Sequence, residues 1–224
     1  MRSTIIRGSR LQQMIGITAT SSVVNQINLQ RSVEQLSNWN LTVAIADQVR
    51  LKKRYLAGPD KARASALDAF ARDPLVGTIW CARGGYGATR ILPFLEEMKT
   101  AEALRKNPKL LIGYSDVTAL HLYFYSKLGI PSLHAVMPGT PRFANLSSRL
   151  SKLLRSTLAG ELALGKKSYT TDWTPQHFLG PRKEAEGIML GGNLTLLVNM
   201  IGTPWQPDLR GKILFIEEIG RAHV

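Results

Sequence analysis

The sequence predicts an α/β fold in which helices cover both faces of a parallel sheet. Two observations support this fold class. Short apolar runs alternate along the chain with stretches in which apolar residues recur at helical spacing, and turn-forming residues separate the two kinds of segment. Sites in parallel sheets lie at the carboxyl ends of the strands, so the polar residues that follow each predicted strand are the first candidates for function.

The predicted elements alternate regularly over the first part of the chain. Strands are predicted at residues 14–20, 41–46, 76–81, 110–113 and 130–134. Helices are predicted at residues 25–39, 60–72, 87–98 and 116–127. We expect Asp60 to cap the second helix and Pro93 to kink the third.

The character of the sequence changes near residue 140. We interpret residues 1–140 as an N-terminal α/β domain, residues 141–181 as a linker that contains a helix, and residues 182–218 as the start of a second domain. In that second unit we predict strands at 185–190 and 212–217, a turn at Gly191-Gly192-Asn193, and a helix at 194–201.

Composition narrows the possible partners and compartment. The net charge is +13, but the basic residues are scattered, and no longer basic run occurs than Lys52-Lys53-Arg54. We therefore expect a solvated basic surface, and neither a nucleic-acid nor a membrane partner. A single cysteine, Cys81, excludes an intrachain disulfide framework, and it agrees with a reducing, cytoplasmic location for a chain without a secretory signal.

The stretch at residues 110–127 carries the strongest chemical signal. Ser115 lies between a short apolar strand and a helix, where its hydroxyl would project at the carboxyl edge of the sheet. The first N–H groups of that helix suit a developing oxyanion. An ordinary N-cap serine is the simpler alternative. Ser21, the loop after Cys81 and His134 are predicted at the same edge.

A glycine-rich loop, CARGGYG at residues 81–87, follows the third strand directly. Glycine lets backbone N–H groups approach a ligand closely. The loop matches neither the Walker spacing nor the dinucleotide fingerprint. A phosphate cradle, an oxyanion donor that faces Ser115 and a plain tight turn all remain open from the sequence.

Several ordered blocks extend the pattern across the chain. They are Tyr55-Leu56-Ala57-Gly58, CARGGYGATR at 81–90, Asn107-Pro108-Lys109, IGYSDVTALH at 112–121, Gly191-Gly192-Asn193-Leu194 and Phe215-Ile216-Glu217-Glu218. Together they resemble the LD-carboxypeptidase family, which includes muramoyltetrapeptide carboxypeptidases and microcin C immunity peptidases. The resemblance implies a doubly wound, flavodoxin-like N-terminal domain, a smaller C-terminal domain that is incomplete here, and an active site between them.

The resemblance also implies roles for individual residues. Ser115 is the expected nucleophile and Glu217 the expected acid of a Ser-Glu-His triad, with Glu218 as the alternative if the register differs by one. Without the resemblance, Glu217 would be interpreted as a solvated carboxylate at a strand end. The expected oxyanion donors are the backbone N–H groups of Gly85 and Asp116. The expected substrate contacts are Arg83, Gly84, Tyr86, Gly192 and Asn193.

The implied activity is that of a serine carboxypeptidase in cell-wall recycling. It would release the terminal D-alanine of a murein tetrapeptide by cleaving an L,D bond, with no metal or organic cofactor, and a homodimer is expected by resemblance. One alternative is an immunity hydrolase that cleaves a microcin-C-type conjugate of peptide and nucleotide. Another is a non-catalytic α/β module that binds an anion or a peptide.

The sequence departs from the family at the catalytic histidine, which the resemblance places beyond the strand that carries the glutamate. Of the histidines present, His121 is expected to point away from Ser115 or to pack on the sheet, and His177 to be solvated in the linker. His134 is kept as an alternative base, and His223 lies in the tail. Residues 219–224 match one reading frame of a sequencing adapter. We therefore expect a non-native tail and very low activity from the chain as written.

Overall fold

The computed structural model describes residues 14–159 and 186–218. Its larger part is a parallel five-stranded sheet with the order β2-β1-β3-β4-β5. The strands are β1 (Met14–Thr18), β2 (Val43–Ile45), β3 (Val76–Cys81), β4 (Leu110–Gly113) and β5 (Leu133–His134). This doubly wound order confirms the predicted fold class.

Helices pack on both faces of the sheet. They are α1 (Gln26–Asn38), α2 (Asp60–Arg72), α3 (Ala88–Glu97), α4 (Thr100–Lys106), α5 (Thr118–Leu128), α6 (Pro141–Ala144) and α7 (Ser148–Leu158). Consecutive residues of a strand point to opposite faces, so Ile79 of β3 packs with Leu67 of α2 on one face. Its neighbour Trp80 packs on the other face with Leu36 of α1 and Leu154 of α7. Burial on both faces explains why the central strands are continuous apolar runs.

Some local predictions for this part are wrong. Asp60 is the first residue of α2, and Pro59 occupies the N-cap. The Asp60 carboxylate instead pairs with Arg63 and Arg90, so it ties α2 to α3. The helix expected from residue 116 begins at Thr118 after a short 3-10 turn. Helix α4, for which no prediction was made, begins directly after Lys99 turns the chain with φ of +55°.

A second, two-stranded sheet follows residue 185. It pairs β6 (Ile188–Asn193) with β7 (Lys212–Glu217) in parallel, and α8 (Leu194–Met200) connects them. The turn predicted at Gly191-Gly192-Asn193 is wrong, because these residues form the end of β6. An added Cβ on Gly191 would overlap the backbone carbonyl of Phe215, so glycine permits the close approach of the two strands.

Parts of the predicted organisation lie outside the described residues. These are the linker beyond residue 159, with His177, and the tail at 219–224, with His223. The predicted domain boundaries remain predictions. Within residues 14–159 and 186–218, no helix combines the length and the apolar character that a membrane crossing requires.

Candidate active site

Ser115 lies directly after the end of β4, in a sharp turn that leads into α5. Its φ is +61°, a left-handed conformation that costs a non-glycine residue about 1–2 kcal/mol. The 3-10 helix Ser115–Val117 has Tyr114 as its N-cap, so the interpretation of Ser115 as an ordinary capping serine is wrong. A strained strand-to-helix turn with serine at its apex is the geometry that exposes a nucleophilic hydroxyl.

The glycine loop after β3 lies against this serine. A Cβ atom added to Gly84 would stand 3.1 Å from the Ser115 Cβ atom and 3.3 Å from its Oγ, so a side chain there would press on the serine. Gly85 has φ of +114°, and a Cβ there would overlap the Ser22 hydroxyl. Among the described residues, neither the Gly85 nor the Asp116 amide donates a backbone hydrogen bond. The two segments that meet at Ser115 thus each carry one predicted oxyanion donor, and neither N–H group is used in a backbone hydrogen bond.

The carboxylate of Asp116 connects the Ser115 turn to two neighbouring loops. It accepts hydrogen bonds from the Ser21 hydroxyl at 2.6 Å and from the backbone N–H of Ala88 at 2.8 Å. Burial raises the pKa of Asp116, and these two hydrogen bonds oppose the rise. The side chain therefore joins the loops that follow β1, β3 and β4. Sequence reasoning assigned a role only to its backbone N–H, although Ser21 was already predicted at the same edge.

Neither histidine among the described residues hydrogen-bonds to Ser115 or Glu217. His121 is buried, with Nε2 3.0 Å from the Gly113 carbonyl and Nδ1 2.7 Å from the Ser132 hydroxyl. Burial lowers the pKa of His121 from 6.5 to about 4, so the neutral ring donates to Gly113 and accepts from Ser132. The packing of His121 on the sheet agrees with one of the two positions expected for it.

His134 lies at the exposed edge of the five-stranded sheet. Its ring centroid is 5.3 Å from that of Phe215 on β7 and 6.0 Å from that of Tyr114, with both pairs edge to face. Desolvation lowers its pKa. These contacts place His134 between the two sheets as an aromatic packing residue.

Glu217 ends β7 in register with Asn193 of β6. The Asn193 N–H donates to the Thr118 hydroxyl at 3.0 Å, and Gly192 lies against the same threonine. Thr118 begins the helix that follows Ser115, so this contact brings the second sheet to the turn that carries Ser115. The contacts that link the two sheets therefore include a threonine, Thr118, that the sequence pattern alone did not single out.

The carboxylate of Glu217 is only partly satisfied. Its Oε1 atom is buried without a hydrogen-bond partner among the described residues. Burial raises the pKa of Glu217, the neighbouring Glu218 charge adds to the rise, and a hydrogen bond from Asn193 opposes it. Glu218 is engaged elsewhere, because its Oε2 accepts from the Thr195 hydroxyl at 2.9 Å. Of the two candidate acids, Glu217 is the one with an uncommitted buried oxygen.

The remaining predicted contact residues lie around the glycine loop. The Arg83 Nη1 donates to the Val23 carbonyl at 2.9 Å, while the half-exposed Tyr86 ring lies 5.9 Å from that of Tyr55. In residues 14–159 and 186–218, no group of three or more His, Cys, Asp or Glu side chains is arranged to hold a metal ion. After the roles expected from the sequence, we call Ser115, Gly84, Gly85 and Asp116 the nucleophile half of the candidate site, and Asn193 and Glu217 its acid half.

Comparisons with known proteins cover both sheets. The family model for the LD-carboxypeptidase N-terminal domain matches residues 15–135, and the model for the C-terminal domain matches residues 186–224. A Bacillus subtilis protein named "probable murein peptide carboxypeptidase" is 34% identical over 205 residues, which cover 92% of this chain and 62% of that protein.

Solved structures agree with the sequence comparisons. The muramoyltetrapeptide carboxypeptidase from Oxalobacter formigenes superposes with a TM-score of 0.76 at 29% identity, over 91% of this chain and 65% of that one. The microcin C7 self-immunity protein MccF, in complex with aspartyl sulfamoyl adenosine, gives a TM-score of 0.75 at 26% identity, over 92% and 68%. The chain spans about two thirds of the length of the relatives that it matches.

Proposed function

The chain belongs to the LD-carboxypeptidase family of peptidases, and from this premise we propose that it acts as a serine carboxypeptidase on murein peptides. In this proposal it removes the terminal D-alanine of a murein tetrapeptide by cleaving the L,D bond. The reaction takes place in the cytoplasm during cell-wall recycling. The observation that carries the proposal is the left-handed Ser115, held at the end of β4 with Gly84 against it.

Ser115 supplies the nucleophile in the proposed mechanism. Its Oγ attacks the carbonyl carbon of the scissile bond as its proton passes to a general base. The N–H groups of Gly85 and Asp116 hold the resulting oxyanion. The C–N bond then breaks, the base returns the proton to the amine of D-alanine, and water hydrolyses the acyl-serine. Gly84 keeps the loop close enough to the serine for this arrangement.

Glu217 orients the base in this mechanism. A buried carboxylate oxygen without a partner can accept a hydrogen bond from an imidazole N–H, as the acid of a catalytic triad does. We propose that the base is a histidine outside the described residues. His121 is committed to Gly113 and Ser132, and His134 packs between Tyr114 and Phe215. Gly192 and Asn193 would line the same side of the substrate cleft.

The proposal is tested on the full product of the gene with two readouts. We expect a fluorophosphonate probe to label Ser115, and we expect D-alanine to appear by mass spectrometry when a murein tetrapeptide is supplied. Ser115→Ala should abolish both signals, whereas Ser126→Ala, which changes a serine later on α5, should preserve both. Labelling that survives in Ser115→Ala would contradict the proposed nucleophile. Labelling without D-alanine release would leave a serine hydrolase with another substrate.

A second candidate is hydrolysis of an aminoacyl-nucleotide conjugate. It is favoured by the similarity to MccF, whose structure was solved with aspartyl sulfamoyl adenosine. The same nucleophile half would serve that reaction. Competition between a murein tetrapeptide and aspartyl sulfamoyl adenosine for the labelled site separates the two, because the preferred ligand class protects Ser115 at the lower concentration.

A further inference from the structure

A basic cavity opens beside the nucleophile half. Its volume is about 420 Å³, and its charged walls are Lys52, Arg54 and Arg83, with no carboxylate among the lining residues. Tyr55 forms part of the wall and contacts Tyr86 across the rim. A cavity that gathers three cations without a compensating acid creates a strongly positive local potential.

Within the part of the chain that the structure describes, the three cations of the cavity lack the carboxylate partners that several other basic side chains have. Arg63, Arg72, Arg90, Lys127 and Arg210 each pair with an aspartate or glutamate within 4.0 Å. Among the described residues, no such ion pair involves the three cations of the cavity. Arg83 is nevertheless held in place, because it donates to the Val23 carbonyl. A guanidinium group that is held in this way without a carboxylate partner is suited to bind an oxyanion from outside.

The place of the cavity in the fold also favours an anionic ligand. Its walls come from the loops after β1, β2 and β3, which are neighbours in the order β2-β1-β3. From β1 the chain continues to β2 on one side, and from β3 it continues to β4 on the other side. The cavity therefore lies at the topological switch point, where open α/β sheets bind ligands. Ser22 joins the cavity to the site, because it lines the cavity and its Oγ accepts from the Tyr86 N–H at 3.3 Å.

The distance to the nucleophile is short. Arg83 precedes Gly84, and Cα atoms of successive residues are about 3.8 Å apart. A Cβ on Gly84 would stand 3.3 Å from the Ser115 Oγ. The backbone that carries Arg83 therefore runs directly beside Ser115, and its side chain reaches from there to the Val23 carbonyl in the cavity wall.

We propose that this cavity is an anion subsite that binds an oxyanion group of the substrate through Lys52, Arg54 and Arg83. The group is a carboxylate if the substrate is a peptide and a phosphate if it is a nucleotide conjugate. The assignment of the anion to a substrate rests on the proposed function, whereas the presence of the subsite rests on the cavity itself. Binding at the subsite orients the substrate without taking part in bond cleavage.

The test compares charged and uncharged probes by calorimetric titration of the chain. Adenosine monophosphate is compared with adenosine, and a murein tetrapeptide with the same peptide whose carboxylates are amidated. The subsite variant combines Lys52→Gln with Arg54→Asn, because asparagine tolerates the left-handed backbone at position 54, where φ is +58°. The control combines Arg50→Gln with Lys53→Gln, which removes the same charge from exposed neighbours outside the cavity wall.

We expect the subsite variant to bind at least one charged probe about tenfold more weakly, and the control to change that affinity less than about twofold. In the unsubstituted chain, tighter binding of adenosine monophosphate than of adenosine identifies the anion as a phosphate. Tighter binding of the tetrapeptide than of its amidated form identifies it as a carboxylate. The subsite would be overturned if the two double variants bound both charged probes with equal affinity. It would also be overturned if the unsubstituted chain bound each charged probe no more tightly than its uncharged counterpart. Fluorophosphonate labelling of Ser115 reports separately on the proposed function, so either proposal can fail while the other stands.

Discussion

Ser115 and Glu217 belong to sheets of very different burial. Every residue of β3 and β4 is buried, whereas β7 has no buried residue, and Leu214, Phe215 and Ile216 are exposed. The nucleophile half is therefore held by the core of a five-stranded sheet. The acid half is carried by a strand pair that joins the larger part through the hydrogen bond from Asn193 to Thr118, the hydrogen bond from Trp205 to Glu96 and a few buried apolar side chains of β6 and α8.

The two halves of the candidate site are supported to different degrees. Behind Ser115, the buried Asp116 carboxylate has two hydrogen-bond donors, so backbone strain at the turn is compensated by surrounding contacts. In the acid half, the Glu217 Oε1 has no partner in the described residues. We infer that the first half is preorganised and that the second depends on what binds beside it.

The largest expected effect comes from replacing Ser115, the proposed nucleophile. In the full gene product, Ser115→Gly and Ser115→Ala should both lower kcat by about 10⁴-fold or more. Glycine adopts the left-handed conformation without the Cβ penalty, so Ser115→Gly should be more stable than Ser115→Ala by about 1 kcal/mol. Kinetics and urea denaturation measure the two effects. Equal stability of the two variants would show that the turn carries no strain.

Glu217→Gln tests the less supported half. If this carboxylate orients the base, kcat should fall about 10³-fold, while the free energy of unfolding should change by less than about 1 kcal/mol. The stability change is small because Oε1 has no hydrogen bond to lose among the described residues. Glu218→Gln is the matched control, and we expect it to retain activity within about threefold. Reversed effects of the two substitutions would assign the acid to Glu218.

Acidification should lower the free energy of unfolding through the protonation of His121. The pKa of His121 is about 4 in the folded chain and 6.5 in the unfolded chain, so only the unfolded chain binds this proton between those values. His121 therefore contributes on the order of 3 kcal/mol to the free energy of unfolding above pH 6.5, and this contribution is lost as the pH falls to about 4.

The measurement compares the pH dependence of unfolding free energy in the native chain and in His121→Gln. Glutamine removes the titration and retains an amide donor for the Gly113 carbonyl. The difference between the two curves isolates His121 from the carboxylates, and we expect it to narrow on acidification. A constant difference from pH 7 to pH 4 would contradict the neutral, buried histidine.

The smallest effect is expected at the link between the halves. Thr118→Val removes the acceptor of the Asn193 N–H, which should cost about 1–2 kcal/mol of stability. Thr195→Val breaks an exposed hydrogen bond to Glu218 and should cost less than about 0.5 kcal/mol. Hydrogen exchange of the Asn193 amide should rise in the first variant alone. Unchanged exchange there would mean that other contacts hold the second sheet.

Much of the sheet could be predicted from local pattern. Strands β3, β4 and β7 have their predicted bounds because each is a short apolar run that ends at polar or glycine residues. Gly191 and Gly192 misled the prediction, since a glycine pair favours a turn locally. Their actual requirement is the close approach to Phe215 and Thr118, which are distant in sequence.

The geometry of the candidate site was not predictable from the sequence, whereas the roles assigned to its residues stay predictions. The position of Ser115 between a strand and a helix pointed to an exposed hydroxyl, but its left-handed backbone is imposed by tertiary contacts. The burial of the Asp116 carboxylate against Ser21 also depends on a distant loop. Periodicity describes a single element, and these features arise only where several elements meet.

The hydrogen bond between Ser21 and Asp116 has a consequence for the order of folding. The two residues are 95 positions apart, so the loop between them must close before the bond can form. We expect the reactive geometry of Ser115 to appear late, after the loops that follow β1, β3 and β4 have docked. During refolding, fluorophosphonate labelling should therefore lag behind the recovery of helical circular dichroism. The chain would pass through most of its folding with its nucleophile still unreactive.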